Sequence, residues 1–225
     1  MSKQAAVFYD VDGTLVAGTV VHPCLWYAAH QALPSRSLLK SVGLLSRVPW
    51  YWALDQVSRP MFNRLFYREY RGMTRNRLLT LAEEMFVAMI RSRIYPGVAD
   101  LVARSKAQGL VQVFVTGALD FTVDPLARHL GIEHVIANRL EFEGGVATGR
   151  LLSPVIAAES KVDCIRSFAK RHGIDLADSY AYADSFSDLP MLTVVGKPAA
   201  VEPDRRLKAT AHARRWPVIE WRGHA

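Results

Sequence analysis

Asp10-Val11-Asp12-Gly13-Thr14 sets two carboxylates two residues apart at the end of a short apolar run, Gln4 to Tyr9 (QAAVFY). Neighbouring carboxylates can divide labour, one attacking as a nucleophile while the other exchanges a proton. The plainer reading is an Asp-Gly turn that ends a strand. Three other groupings carry compatible chemistry. Thr116-Gly117 follows Val111 to Val115 (VQVFV) and offers a hydroxyl and an open backbone N–H to a phosphate oxygen, or else a Thr N-cap for the next helix. Lys161 stands near the start of a helical pattern, where an ammonium neutralises a phosphoryl group and its attacker together, though most lysines are simply solvated. Asp184-Ser185-Phe186-Ser187-Asp188 follows Tyr180 to Ala183 and adds two carboxylates. Asp10 with Asp184 suits hard, oxygen-seeking Mg²⁺, and the plainer alternative is an acidic loop capping a helix that begins near Ser187.

The elements that must position these groups read as alternating strands and helices. Strands are expected at Gln4 to Tyr9, Val111 to Val115, His134 to Ala137, Tyr180 to Ala183, Ala199 to Val201 and Pro217 to Trp221. Helical patterns run from Val98 to Gln108, Leu119 to Leu130, Ala158 to His172 and Pro203 to Arg215, several stopped by glycine. That rhythm implies an α/β fold, a parallel sheet covered on both faces, with ligands at the carboxyl ends of its strands. Each of the four groupings follows, or closely precedes, an element whose end would face that crevice. Leu140 to Glu143 and Val146 to Leu151, joined at Gly144-Gly145, read as a small β-hairpin.

The rhythm breaks between Ala17 and Tyr95, where apolar residues recur at helical spacing: Met61, Phe62, Leu65, Phe66, then Leu78, Leu81, Ala82, Met85, Phe86 and Met89. This segment is expected to be an all-helical insertion, residues 17–95, in a core made of residues 1–16 and 96–225. It holds 11 Lys and Arg against 4 Asp and Glu, while the rest of the chain balances to zero, so it carries the whole net charge of +7. It also holds 11 of the 22 aromatic residues, Trp26, Tyr27, Trp50, Tyr51 and Trp52 among them. Arg64, Arg68, Arg71 and Arg75 recur at near-helical spacing, with Gly72 a candidate break. Basic and aromatic residues together suit weak contact with an anionic membrane surface or a lipid phosphate. A helical bundle with an aromatic core and solvated arginines is the commoner arrangement. No nucleic-acid-binding motif accompanies them.

Cys24 and Cys164 are far apart and in no metal-ligand spacing, as free thiols in a reducing compartment would be. Only Lys3 precedes the first apolar run, and Asp10 and Asp12 interrupt it, so no secretory leader is expected there. The longest stretch without Asp, Glu, Lys or Arg, Gly13 to Ser35, contains Pro23, Gln31, Pro34 and two histidines and does not read as a bilayer span. A cytoplasmic protein is expected.

These residues, in this order, resemble the haloacid dehalogenase-like hydrolase superfamily, whose phosphatases use four motifs of this kind. The stretch VFVTGALDFTVDPLARHLGIEHVIANRLEFEGGVATG, with Asn138-Arg139-Leu140 and the closing Thr148-Gly149, is similar to the phosphoserine phosphatase-like subgroup. The resemblance implies a Rossmann-like core with a helical cap between the first two motifs, and a Mg²⁺-dependent phosphomonoester hydrolase acting through a phospho-aspartate. It implies Asp10 as nucleophile and Asp12 as general acid and then base. Thr116, Gly117 and Lys161 would hold the phosphoryl group. Asp10, the Asp12 backbone carbonyl and Asp184 would bind Mg²⁺, with Asp188 supporting from behind. Ala183 stands where the family usually has glycine. Thr19 stands where phosphoserine phosphatases usually carry a glutamate, nine residues after the nucleophile, which weakens phosphoserine as the substrate. The expected partner is a phosphorylated small molecule or a lipid phosphate. The alternatives are phosphoserine phosphatase proper, a phosphotransferase or phosphate-binding regulator, and a membrane-associated interaction protein on the same fold.

Overall fold

The apolar run before Asp10 forms β1 (Ala6–Tyr9), every residue of which is fully buried. Its side chains alternate between two cores, Val7 and Tyr9 on one face and Ala6 and Phe8 on the other. A strand covered on both faces has no polar-outward positions, so its sequence is continuously apolar. The computed structural model describes residues 4–30 and 34–221; residues 31–33 of the expected insertion lie outside the described residues.

After β1 the chain passes through four helices, α1 (Val21–Ala29), α2 (Pro34–Val57), α3 (Arg59–Phe66) and α4 (Arg75–Met85). A 3₁₀ turn over Tyr67–Tyr70 separates α3 from α4, and a π turn (Phe86–Ile90) and a 3₁₀ turn (Arg91–Arg93) follow. The chain then forms α5 (Val98–Ala107), β2 (Val111–Leu119), α6 (Asp120–Leu130) and β3 (His134–Asn138). The hairpin β4 (Leu140–Glu143) and β5 (Val146–Leu151) comes next, followed by α7 (Glu159–His172) and β6 (Tyr180–Ala183). The described chain closes with α8 (Leu189–Thr193), β7 (Lys197–Val201), α9 (Arg205–Arg214) and β8 (Val218–Ile219).

Six strands form one sheet in the order β3-β2-β1-β6-β7-β8, with every pair parallel, while β4 and β5 pair antiparallel apart from it. The expected α/β class is therefore present. Connections run outward from β1 on one side and from β6 on the other, so the order reverses between these two strands. A crevice opens at such a reversal, beyond the carboxyl ends of the strands. Asp10 and Asp184 follow β1 and β6 directly, so the topology alone sets them side by side.

Three expectations need correction. β2 does not stop at Val115. It continues to Leu119, which pairs with Asn138 after a register shift, so Thr116 and Gly117 lie in an irregular stretch of strand rather than at a helix entrance. The last strand is shorter than Pro217 to Trp221, and no regular α-helix starts at Ser187: a 3₁₀ turn over Phe186–Asp188 precedes α8. The candidate break at Gly72 is present, so Arg64, Arg68, Arg71 and Arg75 do not share one helix. They fall in α3, the 3₁₀ turn, the bend at Gly72 (φ +84°) and the start of α4, and all four are exposed.

The helices between β1 and α5 enclose a second core, in which Tyr27, Tyr51, Phe62, Phe66, Tyr67 and Tyr70 are buried with Leu78, Leu81 and Met85, and which Leu119, Phe121, Leu140 and Ala147 join from the sheet side. Most of the segment's aromatic richness is thus packing, but Trp50 and Trp52 are exposed. The two chain crossings at its root are bridged, Ala17 N–H to the Arg93 carbonyl at 2.8 Å and Tyr95 N–H to that of Leu15 at 3.0 Å. Its far side rests on the hairpin: Gly72 N–H donates to Ala147 O at 2.9 Å and Ala147 N–H to Met73 O at 2.8 Å. Cys24 is buried in this core and Cys164 half-buried on α7, both as free thiols. Among the described residues no helix is long and apolar enough to cross a membrane.

Candidate active site

Asp10 N–H donates to the Tyr182 carbonyl at 2.9 Å, which extends the pairing of β1 with β6 and aims the Asp10 carboxylate past the sheet. The chain then turns sharply, with Gly13 N–H bonded to Val16 O at 2.8 Å and Leu15 N–H to Val11 O at 2.9 Å. Gly13 sits at φ +85°, and a Cβ there would fall 2.1 Å from Asp184 Oδ2. The glycine is therefore needed twice, for the left-handed turn and for the approach of a carboxylate. Thr14 Oγ1 lies 3.3 Å from Asp10 Oδ2 and 3.1 Å from Asp184 Oδ1, so one hydroxyl bridges the two acids.

Lys161 enters from the first turn of α7 and is almost fully buried. Its ammonium donates to Asp10 Oδ1 at 2.6 Å and to Asp188 Oδ1 at 2.7 Å. Burial alone would lower its pKa; the Asp10 and Asp188 carboxylates overrule that and hold it above the ordinary lysine range. The acids are pushed the other way. Burial raises the Asp10 pKa against the pull of Lys161. Burial and then the Asp10 charge raise Asp12 to about 7, and burial with Asp10 and Asp188 raises Asp184 to about 8. Carboxylate oxygens of Asp10, Asp184 and Asp188 all lie within 4.8 Å of one another. Three hard oxygen donors crowded this closely, with burial and neighbouring charge raising the pKa of both Asp10 and Asp184, are what a small divalent cation relieves.

Across a small cleft from Asp10, Asp12 and Lys161 lie Thr116 and Gly117. Thr116 does not cap α6, whose N-cap is Leu119; its Oγ1 accepts the Ala118 N–H at 3.0 Å within the bulged strand. That bond leaves its hydroxyl proton free to donate. The Gly117 carbonyl is held from two directions, by Tyr67 O–H and by Asn138 Nδ2, each at 2.7 Å. Asn138 also accepts the Ile156 N–H at 2.8 Å, and Asn63 Nδ2 donates to the Ile156 carbonyl at 3.1 Å. The structure thus brings all the expected residues together, with Asp184 behind Asp10 rather than on the cleft wall. Asp184 caps no helix, and Asp188, the N-cap position of α8, makes no capping bond with its side chain.

Sequence reasoning missed the residues that reach this cleft from the helical insertion. Arg59 and Asn63 line it, and Tyr67 ties down its Gly117 wall. Arg59 pairs with Asp55 yet stays about a third exposed, and its charge is felt at Asp10 and Asp188. Asn63 carried a readable signal, an amide among Phe62, Leu65 and Phe66 on a buried helix face, where an unpaired polar group is costly. Ser58 also caps α3 through Met61 N–H, with Pro60 in the first turn, which fixes where Arg59 stands.

The model of the family described as haloacid dehalogenase-like hydrolase matches residues 7–193. A Mycobacterium tuberculosis protein named phosphoserine phosphatase SerB1 is 31% identical over 224 residues, covering 97% of this chain and 71% of that one. A crystal structure from Bordetella pertussis Tohama I, of a protein whose function is unknown, superposes with a TM-score of 0.84 at 25% identity, covering 98% of this chain and all of the other. A substrate-bound phosphoserine phosphatase shares the fold with a TM-score of 0.73 at 20% identity, over 97% of this chain and 94% of that one.

Proposed function

We propose that this chain, which belongs to the haloacid dehalogenase-like hydrolase family and is a phosphatase, cleaves phosphomonoesters through a phospho-aspartate formed on Asp10, with Mg²⁺ as its metal. The observation that carries the reading is the Asp10 carboxylate, held 2.6 Å from a buried ammonium at the sheet's switch point and facing Thr116 and Gly117 across the cleft. Asp10, the Asp12 backbone carbonyl and Asp184 would hold the metal, and Asp188 would keep Lys161 aimed. When bound, Mg²⁺ would neutralise the crowded carboxylates and the phosphate oxygens, which lets anion approach anion.

The chain's own residues account for the rest. Thr116, the Gly117 backbone and Lys161 hold the phosphoryl oxygens in line with Asp10. An Asp10 oxygen attacks phosphorus, the P–O bond to the alcohol breaks, and the leaving oxygen takes its proton from Asp12. A pKa near 7 leaves Asp12 protonated in a useful fraction of molecules at neutral pH. A water then gives its proton to Asp12 and attacks phosphorus. The bond to Asp10 breaks, and inorganic phosphate and the free carboxylate result.

Residues 17–95 act as a cap over a core of residues 1–16 and 96–225, excluding water and reading the leaving group through Arg59, Phe62 and Asn63. Small soluble phosphomonoesters are the substrate class. Thr19 is exposed and its N–H is turned to the His22 ring, which argues against an amino-group contact of the phosphoserine kind. The test is phosphate release with and without Mg²⁺ across phosphoserine, sugar phosphates, nucleotides and lysophospholipid phosphates. Release that needs both metal and Asp10, and that falls below detection in Asp10→Asn, is expected. Undiminished release by that variant would overturn the proposal.

A further inference from the structure

α2 packs inward through Leu44 and Tyr51, both buried. On its opposite side Leu38, Val42, Leu45, Pro49 and Trp52 follow one another at intervals of three and four residues, so they form one stripe along the helix. All five are exposed, Trp52 to 67%, and the stripe is flanked by Leu39 (76%), Trp50 and, at the end of the helix, Val57 (83%). The described charged side chains of α2 stand off this face: Arg47 pairs with Glu69 at 2.8 Å, Asp55 pairs with Arg59, and Lys40 is half-buried. Soluble monomers rarely leave so long an apolar surface uncovered.

Charge decides what covers it. The segment from Ala17 to Tyr95 holds the whole net charge of +7. On α3, Arg64 follows the exposed Met61 by one turn, and Arg68, in the 3₁₀ turn after the helix, is also exposed. Two copies meeting through this face would bring two such segments together, whereas an anionic lipid surface neutralises them. Leu and Trp facing outward beside basic residues are the composition of helices that lie in a lipid–water boundary, where indole rings rest at headgroup depth.

We propose that the outer face of α2 docks the protein onto an anionic lipid surface. Leu38, Val42, Leu45 and Trp52 enter the headgroup layer, and the insertion's arginines meet lipid phosphates. The inference stands apart from the catalytic reading and assigns no lipid as substrate.

The test is co-sedimentation of the full chain with phosphatidylcholine vesicles, with and without phosphatidylserine. Binding to the anionic vesicles about tenfold or more tighter than to neutral ones is expected, at about fivefold per arginine near the surface, and salt should weaken it. The fourfold variant Leu38→Ser, Val42→Ser, Leu45→Ser, Trp52→Ser should lose vesicle binding while keeping its circular dichroism and its phosphate release. Should that variant not fold, quenching of the wild-type tryptophans by brominated lipid replaces it as the readout, and quenching is expected. Absence of anionic vesicle binding, binding unchanged by the substitutions, or no quenching would overturn the proposal. So would a dimer in light scattering that those substitutions dissociate while the parent ignores lipid, since α2 would then be an interface between copies.

Discussion

Asp10, Asp12 and Asp184 all hold their protons more tightly than free carboxylic acids, for reasons legible in their surroundings: burial first in each, then the Asp10 charge at Asp12 and Asp184, while at Asp10 burial and the Asp188 charge outweigh the pull of Lys161. Each of these acids therefore keeps a proton in the native state over a range where the unfolded chain has released it. For Asp12 the range runs from 3.8 to about 7 and for Asp184 from 3.8 to about 8. The native state then binds more protons than the unfolded one, so the metal-free protein loses stability as pH rises through this range. A cation that binds the ionised carboxylates reverses the loss, and its effect grows with pH. At a hundredfold excess over Kd, Mg²⁺ should add about 2.7 kcal/mol, roughly 5–10 °C in Tm for a chain of this size. Thermal melts near pH 8 should display that gain, and melts near about pH 5 should display little of it. An equal Mg²⁺ increment at both pH values would contradict a carboxylate site.

At the scale of elements, the bulged end of β2 is where the insertion and the core meet. Tyr67 reaches from the 3₁₀ turn after α3 to the Gly117 carbonyl, and Asn138 reaches the same oxygen from the end of β3. Removing the Tyr67 hydroxyl leaves that carbonyl one partner, so Tyr67→Phe should cost little stability. It should loosen the phosphate-facing wall instead. The net worth of such a bond, about 0.5–1.5 kcal/mol, converts to a roughly two- to tenfold loss in kcat/KM. Inhibition by inorganic phosphate should weaken in parallel. Asn138→Ala removes the other bond to the Gly117 carbonyl and also strands the buried Ile156 N–H, so it should lower kcat/KM in the same way and in addition cost about 1–3 kcal/mol of stability. Steady-state kinetics beside thermal melts separate the two effects, and a Tyr67→Phe enzyme with unchanged kcat/KM would deny the cross-connection a role.

For the whole molecule, what could be read from sequence was whatever a single strand or turn dictates. A continuous apolar run ending before Asp10, and another ending before Asp184, mark central parallel strands, and the glycine at position 13 marks the sharp turn after Asp10 and Asp12. The hairpin from Leu140 to Leu151 was equally local, with Gly144 and Gly145 both at positive φ. Arg59 and Tyr67 were not legible, because their roles depend on how an 80-residue-scale insertion folds back over the crevice, and nothing in their own neighbourhood encodes that docking. Near-helical spacing in the arginine series survives across a helix, a turn and a second helix, and Gly72 is the local sign that the chain changes direction there. The extension of β2 past Thr116 depended on a long-range pairing with β3 that no local pattern announces.

The central claim is that Asp10 itself carries the phosphoryl group between the two half-reactions. The direct measurement is a rapid acid quench of the enzyme turning over a ³²P-labelled phosphomonoester with Mg²⁺, followed by borohydride reduction and peptide mapping. The account predicts a single base-labile acyl phosphate, mapped to Asp10 and absent from Asp10→Asn. A fully active enzyme that forms no phosphoenzyme, or a label on any residue other than Asp10, would contradict it.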